Sequence, residues 1–446
     1  MIDPSPAMSM QMRSSSEEEM GTQQPDERHG PEFSLPQADG GKDAWLFLAA
    51  CFVVEALVWG FPFSFGIFQE YYSTHEPFST EPSGIAIIGT TATVRPRLSL
   101  DTIMFSLLMT VIANTFQLTS KWAGLPIMSI ALIAASYVSH VKNLILTQGI
   151  LYAFGGSLVY YPALNSLDEW FIRRKGMAYG VMWAGTGVAG LIIPFVMNSL
   201  LGKYGFRTTL RIWATASIII SSPLIYFLRP RLPISAVSQP ARHGLGFMRS
   251  TTFWLLLAGL TIESSGYFIP GIYLPSFARS LGLSTAIGTL LVSLVNASAV
   301  VSTIGMGMMI DRFHVTTVIM LSSVGAAVSV FLFWGLSGAL PMLCLFSIFY
   351  GFFAGGFVST MAGVVKLVKE GDENTDAGSV LGVLSVGRGI GAVVSGLSSE
   401  PLLSGSPWKG EAGLGYGSGY GGLIVFTGVT ATLGSVGFMG KRLGWM

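Results

Sequence analysis

Three ionisable side chains lie inside long apolar stretches of the sequence: Glu55, Glu263 and Arg388. An isolated charge is costly inside an apolar span, so such groups usually face a polar cavity or pair with one another. A carboxyl in this setting can bind a polar ligand or take up a proton, and a guanidinium offers a fork of donors that matches a carboxylate. These residues are the first candidates for chemistry.

Glu55 shares one helical face with aromatic residues. Trp59 follows it by four residues, and Pro62 and Phe63 follow it by seven and eight, which is the spacing of one side of a helix. The proline frees a backbone carbonyl one turn earlier and can bend the helix. A bent face that carries a carboxyl and aromatic rings suits a substrate site, so Glu55, Trp59 and Phe63 are predicted to bind substrate.

A second copy of this face occurs about 200 residues later. Glu263 is followed by Tyr267 after four residues and by Pro270 after seven, so Glu263 and Tyr267 are also predicted to bind substrate or a coupling ion. Arg388 has no charged counterpart, because Thr186 occupies the matching position of the first copy. Arg388 is predicted to hold an anionic substrate or to pair with a glutamate. The structural alternative for each glutamate is a hydrogen bond that joins neighbouring helices.

The composition indicates which elements must position these side chains. Hydrophobic residues make up 51% of the 446-residue chain, charged residues only 11%, and the net charge is +1. A soluble domain carries about 25% charged residues, so this chain has too few to cover a water-facing surface. An all-α membrane protein is predicted. A soluble enzyme and a nucleic-acid-binding protein are disfavoured, the latter because the chain has no basic excess.

Twelve apolar stretches approach the roughly 20 residues that a helix needs to cross a bilayer. The predicted spans are 45–68, 102–118, 125–139, 144–164, 177–201, 212–228, 253–277, 285–310, 315–334, 342–368, 379–397 and 421–439. Lys and Arg are commoner in the segments that lie on the same side of the membrane as the N-terminus than in those on the opposite side. By the positive-inside rule, this distribution predicts that both termini lie in the cytoplasm. The predicted parts are a disordered cytoplasmic tail (1–43), a six-helix half (44–228), a cytoplasmic linker (229–250) and a second six-helix half (251–446).

Glycines repeat with the same period as the glutamate motifs. Gly180 and Gly185 in the fifth span correspond to Gly382 and Gly387 in the eleventh. An even number of crossings separates the copies, so the two halves have parallel orientation. Two parallel six-helix halves resemble the architecture of the major facilitator superfamily, in which the substrate site lies between the halves near the bilayer midplane.

Three motifs are similar to those of the monocarboxylate-transporter-like family of this superfamily, most closely its fungal members. They are the loop 307–313, the segment 40–45 with the later Phe61-Pro62, and the segment 168–180. The resemblance implies uniport or proton-linked symport of small organic solutes, classically monocarboxylates. It also implies a gating role for charged residues of the loop motifs: Asp311, Arg312, Arg173 and Arg174.

The chain departs from the family pattern in three places. Family members that carry lactate and pyruvate have a lysine after the first-helix Phe-Pro, where this chain has Phe63. They also have an Asp and an Arg one turn apart in helix eight, whereas residues 296–300 include neither. Arg95-Pro-Arg97 interrupts the second helix and the first-half loop signature is absent, so the second helix is expected to be irregular.

These observations predict a secondary-active or facilitative transporter that moves a small, monocarboxylate-like organic solute, with or without a proton, by alternating access. It is expected to act as a monomer in a lipid bilayer, with the plasma membrane as the first choice and the vacuole or another internal membrane as alternatives. A carrier of a larger vitamin or metabolite is a second hypothesis, because Trp59, Phe63 and Tyr267 suit an aromatic ligand. A non-transporting sensor or degenerate relative is a third. No enzyme activity, cofactor or metal is expected, because no nucleophile, base or metal-ligand pattern occurs.

Overall fold

Apolar residues that dominate long stretches of this chain form helices, because a helix satisfies its own backbone hydrogen bonds where no water is available. The structure, a computed structural model, describes residues 36–79, 117–232, 245–372, 375–405 and 408–442. Within these ranges the regular structure is helical, without a β-strand. The predicted all-α class is therefore confirmed for the described part of the chain.

The long helices are labelled in chain order. They are α1 (Gly41–Thr74), α2 (Gln117–Ala135), α3 (Val141–Trp170), α4 (Lys175–Phe227), α5 (Thr251–Ser280), α6 (Thr285–Arg312), α7 (Val315–Trp334), α8 (Leu340–Gly371), α9 (Ala377–Ser404) and α10 (Gly421–Gly440). Short 3₁₀ helices at Leu245–Arg249 and Leu414–Ser418 precede α5 and α10. Among the described residues, all of these long helices except the shorter α2 are long and apolar enough to cross a membrane.

Helix α4 contains two predicted spans rather than one. Its 53 residues have a length of about 80 Å at 1.5 Å per residue, more than twice the thickness of a bilayer core. Gly205 divides the helix, with φ 71° and ψ 171°, a backbone conformation that side-chain-bearing residues rarely adopt. The predicted spans 177–201 and 212–228 are the two arms on either side of this kink.

The second and third predicted spans meet the structure only in part. The predicted span 102–118 lies outside the described residues except for its last two positions, which belong to α2. Helix α2 already includes residues 117–124 of the described range, so Lys121, expected between spans, is part of a helix. Lys121 is buried, and its Nζ donates to the carbonyl of Leu228 at the end of α4. This contact satisfies the ammonium group and allows the helix to include it.

Close helix pairs follow the predicted repeat. A Cβ on Gly185 of α4 would meet the backbone oxygen of Phe52 in α1, and a Cβ on Gly391 of α9 would meet the backbone oxygen of Thr261 in α5. The first predicted span thus packs on the fifth, and the seventh packs on the eleventh. The boundaries of the two predicted halves stay a prediction.

Residues 36–40, the end of the predicted tail, lie at one end of the helix bundle. The Asp39 amide donates to the Trp170 carbonyl over 2.9 Å, and Arg231 Nε donates to the Pro36 carbonyl over 2.7 Å. Helix α1 begins at Gly41 rather than at 44, and residues 1–35 lie outside the described part. The end of the bundle that carries residues 36–40 and the loops 171–174, 313–314 and 372–376 is called the basic end below.

Candidate functional site

Glu55 lies within α1 and is almost fully buried, with 2% of its surface exposed. The Thr186 hydroxyl of α4 donates a 2.7 Å hydrogen bond to Glu55 Oε1. The second oxygen, Oε2, is buried and has no hydrogen-bond partner among the described residues. A glutamate that only joins two helices would account for the contact at Oε1 but leaves Oε2 unexplained.

Aromatic rings surround the same face of α1. The Trp59 ring contacts the Tyr160 ring of α3 edge to face, with centroids 6.3 Å apart, and the Phe63 ring at 6.4 Å. The Trp183 indole of α4 donates to the Tyr160 hydroxyl over 3.2 Å. Trp59 Nε1 is buried without a hydrogen-bond partner among the described residues. Phe63 is 42% exposed and directly precedes the helix break at Ser64, so it lies at the edge of this group.

Arg388 of α9 lies over two aromatic rings of α5. Its Cζ is 5.0 Å from the ring centre of Tyr267 and 5.8 Å from that of Phe268, the geometry of a cation–π contact. The Tyr350 hydroxyl of α8 donates to the Tyr267 carbonyl over 3.0 Å. Arg388 Nη1 is buried and has no hydrogen-bond partner within the described ranges.

Glu263 is buried as well, with 3% of its surface exposed, but it faces different neighbours. Its Oε2 is 3.5 Å from the Ser264 hydroxyl, and its Cβ packs near Gly434 of α10. None of the ion pairs between described residues joins Arg388 to Glu55 or Glu263. The predicted roles of Arg388 and of the two glutamates stay predictions.

Tyr160 of α3 contacts residues of two other helices. Its ring contacts the Trp59 ring of α1, and its hydroxyl accepts from the Trp183 indole of α4, so three helices meet at this residue. Sequence reasoning missed Tyr160 and its partner Trp183, although a tyrosine next to Tyr161-Pro162 within an apolar span was an available signal. The structure therefore shows one group of predicted residues around Trp59 and Phe63 on α1, a second group with Arg388 over Tyr267, and Glu263 packed toward α10.

The loop motif at the basic end makes a contact between helices. Asp311, near the end of α6, accepts hydrogen bonds from the backbone amides of Gly176 at 2.7 Å and Met177 at 2.9 Å. A carboxylate at this position caps the start of α4 and complements the positive end of its dipole. Because α4 and α6 belong to different predicted halves, Asp311 joins the halves at the basic end.

The three predicted gating arginines contribute less through their side chains. Asp39 accepts hydrogen bonds from the amides of Ile172, Arg173 and Arg174 at 2.9–3.0 Å. The side chains of Arg173, Arg174 and Arg312 are exposed, and no ion pair between described residues includes them. In this structure the loop 171–174 is therefore held through its backbone amides.

A second contact joins the predicted halves at the basic end. Asp168, near the end of α3, forms ion pairs with Lys175 at 2.6 Å and with Lys369 of α8. Asp168 lies in a sequence motif of the family resemblance, yet its role was not predicted. Its partner Lys369 lies about 200 residues away, a separation at which residue spacing carries no information about contact.

The segment 296–300 is where the family resemblance implies an Asp and an Arg. In this structure, part of the segment contributes to the packing of helices. The Asn296 side-chain amide donates to the Gly190 carbonyl of α4 over 3.4 Å. This contact lies between α6 and α4, and no ionisable group occurs in the segment.

Comparison with known proteins adds a family and a fold. The model of the Major Facilitator Superfamily matches residues 48–396. The solved structure of the proton:xylose symporter XylE aligns with a TM-score of 0.66 at 14% identity, over 89% of this chain and 95% of that one. This likeness shows the fold, so the predicted twelve-helix architecture agrees with both findings.

Several fungal transporters are similar in sequence. The MFS transporter asaE of Aspergillus flavus is 27% identical over 379 residues, 84% of this chain and 82% of that protein. The Aspyridones efflux protein apdF of Emericella nidulans is 27% identical over 81% of this chain and 73% of its own length. The Agnestins efflux protein AgnL12 of Paecilomyces divaricatus is 26% identical over 92% of this chain and 89% of its own.

Proposed function

The chain belongs to the major facilitator superfamily, and from that premise we propose that it exports a small organic metabolite by alternating access. The observation that carries the proposal is the burial of the Glu55 carboxyl and of Arg388 Nη1 within the helix bundle. Each presents a buried polar atom without a partner among the described residues. Buried polar groups are usually hydrogen-bonded, so these atoms support a site for a polar ligand.

The basic end acts as a gate in this proposal. Asp311 on the α4 amides and Asp168 on Lys369 both join the predicted halves there. Separation of these contacts would give a ligand access to the site from the basic end. Their re-formation would close that path, while the opposite end opens.

We place the basic end in the cytoplasm, with both termini, and the protein in the plasma membrane as a monomer. The excess of Lys and Arg in the segments on that side supports the orientation. Export then requires that the ligand enters from the basic end and leaves at the opposite end.

Two further observations support the proposed direction of transport and the proposed size of the ligand. Two of the relatives described above are named as efflux proteins for aspyridones and agnestins. The residues that the monocarboxylate resemblance requires are replaced by Phe63 and by the packing residue Asn296. A larger conjugated metabolite therefore suits this site better than a simple monocarboxylate, which is the less favoured candidate.

We also propose that Glu55 carries a proton inward while the metabolite moves outward. A buried carboxylate with one unpaired oxygen is costly in an apolar span, and protonation removes that cost. Loading the ligand from the cytoplasm and the proton from outside at alternate steps would couple the two movements.

Replacing Glu55 by glutamine is expected to abolish the dependence of export on external pH. The wild-type protein should export faster as the external pH falls from 7.5 to 5.5, because protons then bind more readily from outside, whereas glutamine cannot titrate. Export rates from preloaded cells at the two pH values measure the effect. Glu70→Gln, an exposed change on the same helix, is the control, and a pH dependence that survives in Glu55→Gln removes Glu55 as the proton carrier.

Replacing Asp311 by alanine is expected to open the basic end. The variant loses two charge-assisted hydrogen bonds that stabilise the closed state. Each 1.4 kcal/mol of stabilisation lost should raise the ratio of open to closed molecules by roughly tenfold. A cysteine introduced as Ser385→Cys, one turn before Arg388 on α9, reports access through its labelling by a membrane-impermeant maleimide. Labelling should rise in inside-out vesicles and not in right-side-out vesicles.

Asp43→Ala is the control for this measurement, because its ion pair with Arg229 is half exposed and such pairs contribute little. Unchanged labelling in Asp311→Ala would show that the α4 cap is not a gate. A rise in right-side-out vesicles instead would contradict the proposed orientation.

Export itself is tested in yeast cells that lack their own broad-range exporters. The cells are loaded with radiolabelled conjugated acids, simple monocarboxylates and sugars, and the loss of label is followed with and without the protein. At least one conjugated acid should leave several-fold faster when the protein is present. No accelerated loss of any solute, with the protein at the cell surface, would contradict export and favour a sensor.

A further inference from the structure

Glu263 is a buried carboxyl that the proposed export mechanism does not use. Its surface is 3% exposed, and none of the ion pairs between described residues includes it. The 3.5 Å contact with the Ser264 hydroxyl is at the outer limit of a hydrogen bond. A buried carboxylate needs stronger compensation for the water that it has lost, so the surroundings of Glu263 indicate what could supply it.

Helix α10 is interrupted beside Glu263, at residues 434–435. The Ser435 amide donates to the Thr432 carbonyl over 3.1 Å, whereas in a continuous α-helix it would donate to the Ala431 carbonyl. The Ala431 carbonyl therefore lacks its helical donor, although Ala431 is buried. A buried carbonyl oxygen requires another partner.

Groups from three helices meet at Gly434. A Cβ built on Gly434 would lie 3.0 Å from Glu263 Cβ, 3.1 Å from the Ala431 carbonyl oxygen and 3.1 Å from Ser323 Oγ of α7. Ser323 is 1% exposed, and its hydroxyl has no hydrogen-bond partner among the described residues. The Glu263 side chain, the Ser323 hydroxyl and the Ala431 carbonyl therefore converge on one place within the second predicted half.

A small cavity adjoins this place. Its volume is about 10 Å³, and its lining includes Gly434, Leu260 and Ile319. Leu260 lies three residues before Glu263 and Ile319 four residues before Ser323, so the cavity lies about one helical turn closer to the basic end, where α7 begins. A space of this volume admits about one water molecule, which suits a small ion and is too small for an organic ligand.

The chemistry of these groups selects the kind of ion. Carboxylate, hydroxyl and carbonyl oxygens are the ligands of hard cations, and in other membrane transporters the carbonyls of interrupted helices coordinate Na⁺. The described residues contain no group of three or more His, Cys, Asp or Glu that could hold a metal ion. One carboxylate carries a single negative charge, so a monovalent cation neutralises it, whereas a divalent ion would leave an excess charge buried.

We propose that Glu263, Ser323 and the Ala431 carbonyl bind a sodium ion. The ion would join α5, α7 and α10 at the interruption of α10 and would neutralise the buried carboxylate. This inference goes beyond the export proposed above and does not depend on it, because an ion can bind here whether or not a metabolite is moved.

Thermal unfolding of the purified full-length protein in lipid nanodiscs tests this site in NaCl, KCl and choline chloride of equal concentration. A ligand that binds only the folded protein raises the melting temperature as its concentration rises, so Na⁺ should do this and choline should not. Radiolabelled sodium should bind, and K⁺ should compete at least about tenfold more weakly than unlabelled Na⁺. Equal melting temperatures in the three salts, or no binding of sodium, would overturn the proposal. A melting temperature that changes with pH but not with the cation would overturn it as well, since Glu263 would then be neutralised by a proton.

Two variants locate the ion. Glu263→Gln removes the charge and Ser323→Ala removes one oxygen, so each should lower the affinity for sodium at least about tenfold. The matched controls are Glu400→Gln, an exposed change on α9, and Ser322→Ala, whose hydroxyl donates to the Phe353 carbonyl instead. Both controls should keep the rise of the melting temperature with Na⁺. A rise that survives in both Glu263→Gln and Ser323→Ala would contradict the assignment of the ion to these residues.

Discussion

The exchange of Arg388 for alanine is expected to lower kcat/KM for export about a hundredfold while the amount of protein in the membrane stays the same. The guanidinium lies over Tyr267 and Phe268, and its Nη1 is buried without a hydrogen-bond partner among the described residues. A hydrogen bond to a charged group contributes up to about 3 kcal/mol, and each 1.36 kcal/mol changes a rate about tenfold. Initial rates of loss of the exported solute from preloaded cells measure the effect.

Arg388→Lys sharpens this test. Lysine keeps the charge but lacks the planar fork of donors that Arg388 carries over the Tyr267 ring, so an intermediate rate is expected. Arg279→Ala, on the exposed surface of α5, should export at the wild-type rate. Normal export by Arg388→Ala would remove Arg388 from the site and leave it as a packing residue of α9.

The exchange of Gly307 for valine is expected to abolish export and to lower the melting temperature. A Cβ on Gly307 would lie 2.9 Å from the backbone carbon of Gly176 and 3.3 Å from the Cα of Gly180. Backbone atoms cannot rotate away, so α4 and α6 must separate, at a cost of typically 1–3 kcal/mol for an overpacked contact. Separation also pulls Asp311 from the amides of Gly176 and Met177.

Gly305→Val provides the matched control, because it lies on the same helix and no atom lies within 4 Å of a Cβ built there. Both changes put the same residue into α6, so their effect on helix propensity cancels in the comparison. Melting of the purified proteins in detergent and export from cells are measured side by side. Equal behaviour of the two variants would show that the approach of α4 to α6 is not required.

The repeat made the large elements predictable. Glu55 with Trp59 and Glu263 with Tyr267 marked corresponding helices, and the glycine spacing of Gly185 and Gly387 marked the helices on which they pack. These patterns are local, and close packing of helices requires small residues at fixed intervals. The same local logic missed that Lys121 belongs to α2, because a lysine is read as a loop residue until its contact with Leu228 is known.

The rest of the site depends on contacts between distant segments. Tyr160 contacts Trp59 and Trp183 on two other helices, and nothing in its own neighbourhood of the sequence encodes those distances. Glu263 illustrates the same limit in another way. Its motif has the same residue spacing as that of Glu55, yet its side chain packs toward α10. Identical spacing places a residue on a face but does not determine which helix covers that face.

The start of α4 is shared by two carboxylates that belong to different parts of the chain. Asp39 binds the amides of 172–174, and Asp311 binds those of Gly176 and Met177. When the two predicted halves part, Asp39 stays with α4, so only two amides pass to water instead of five. Breaking the Asp311 hydrogen bonds then contributes a few kcal/mol at most to the free energy of opening, beside the Asp168–Lys369 ion pair and the packing of Gly307 on Gly176. We therefore expect residues 36–40 to set how fast the transporter can cycle, although they touch no ligand.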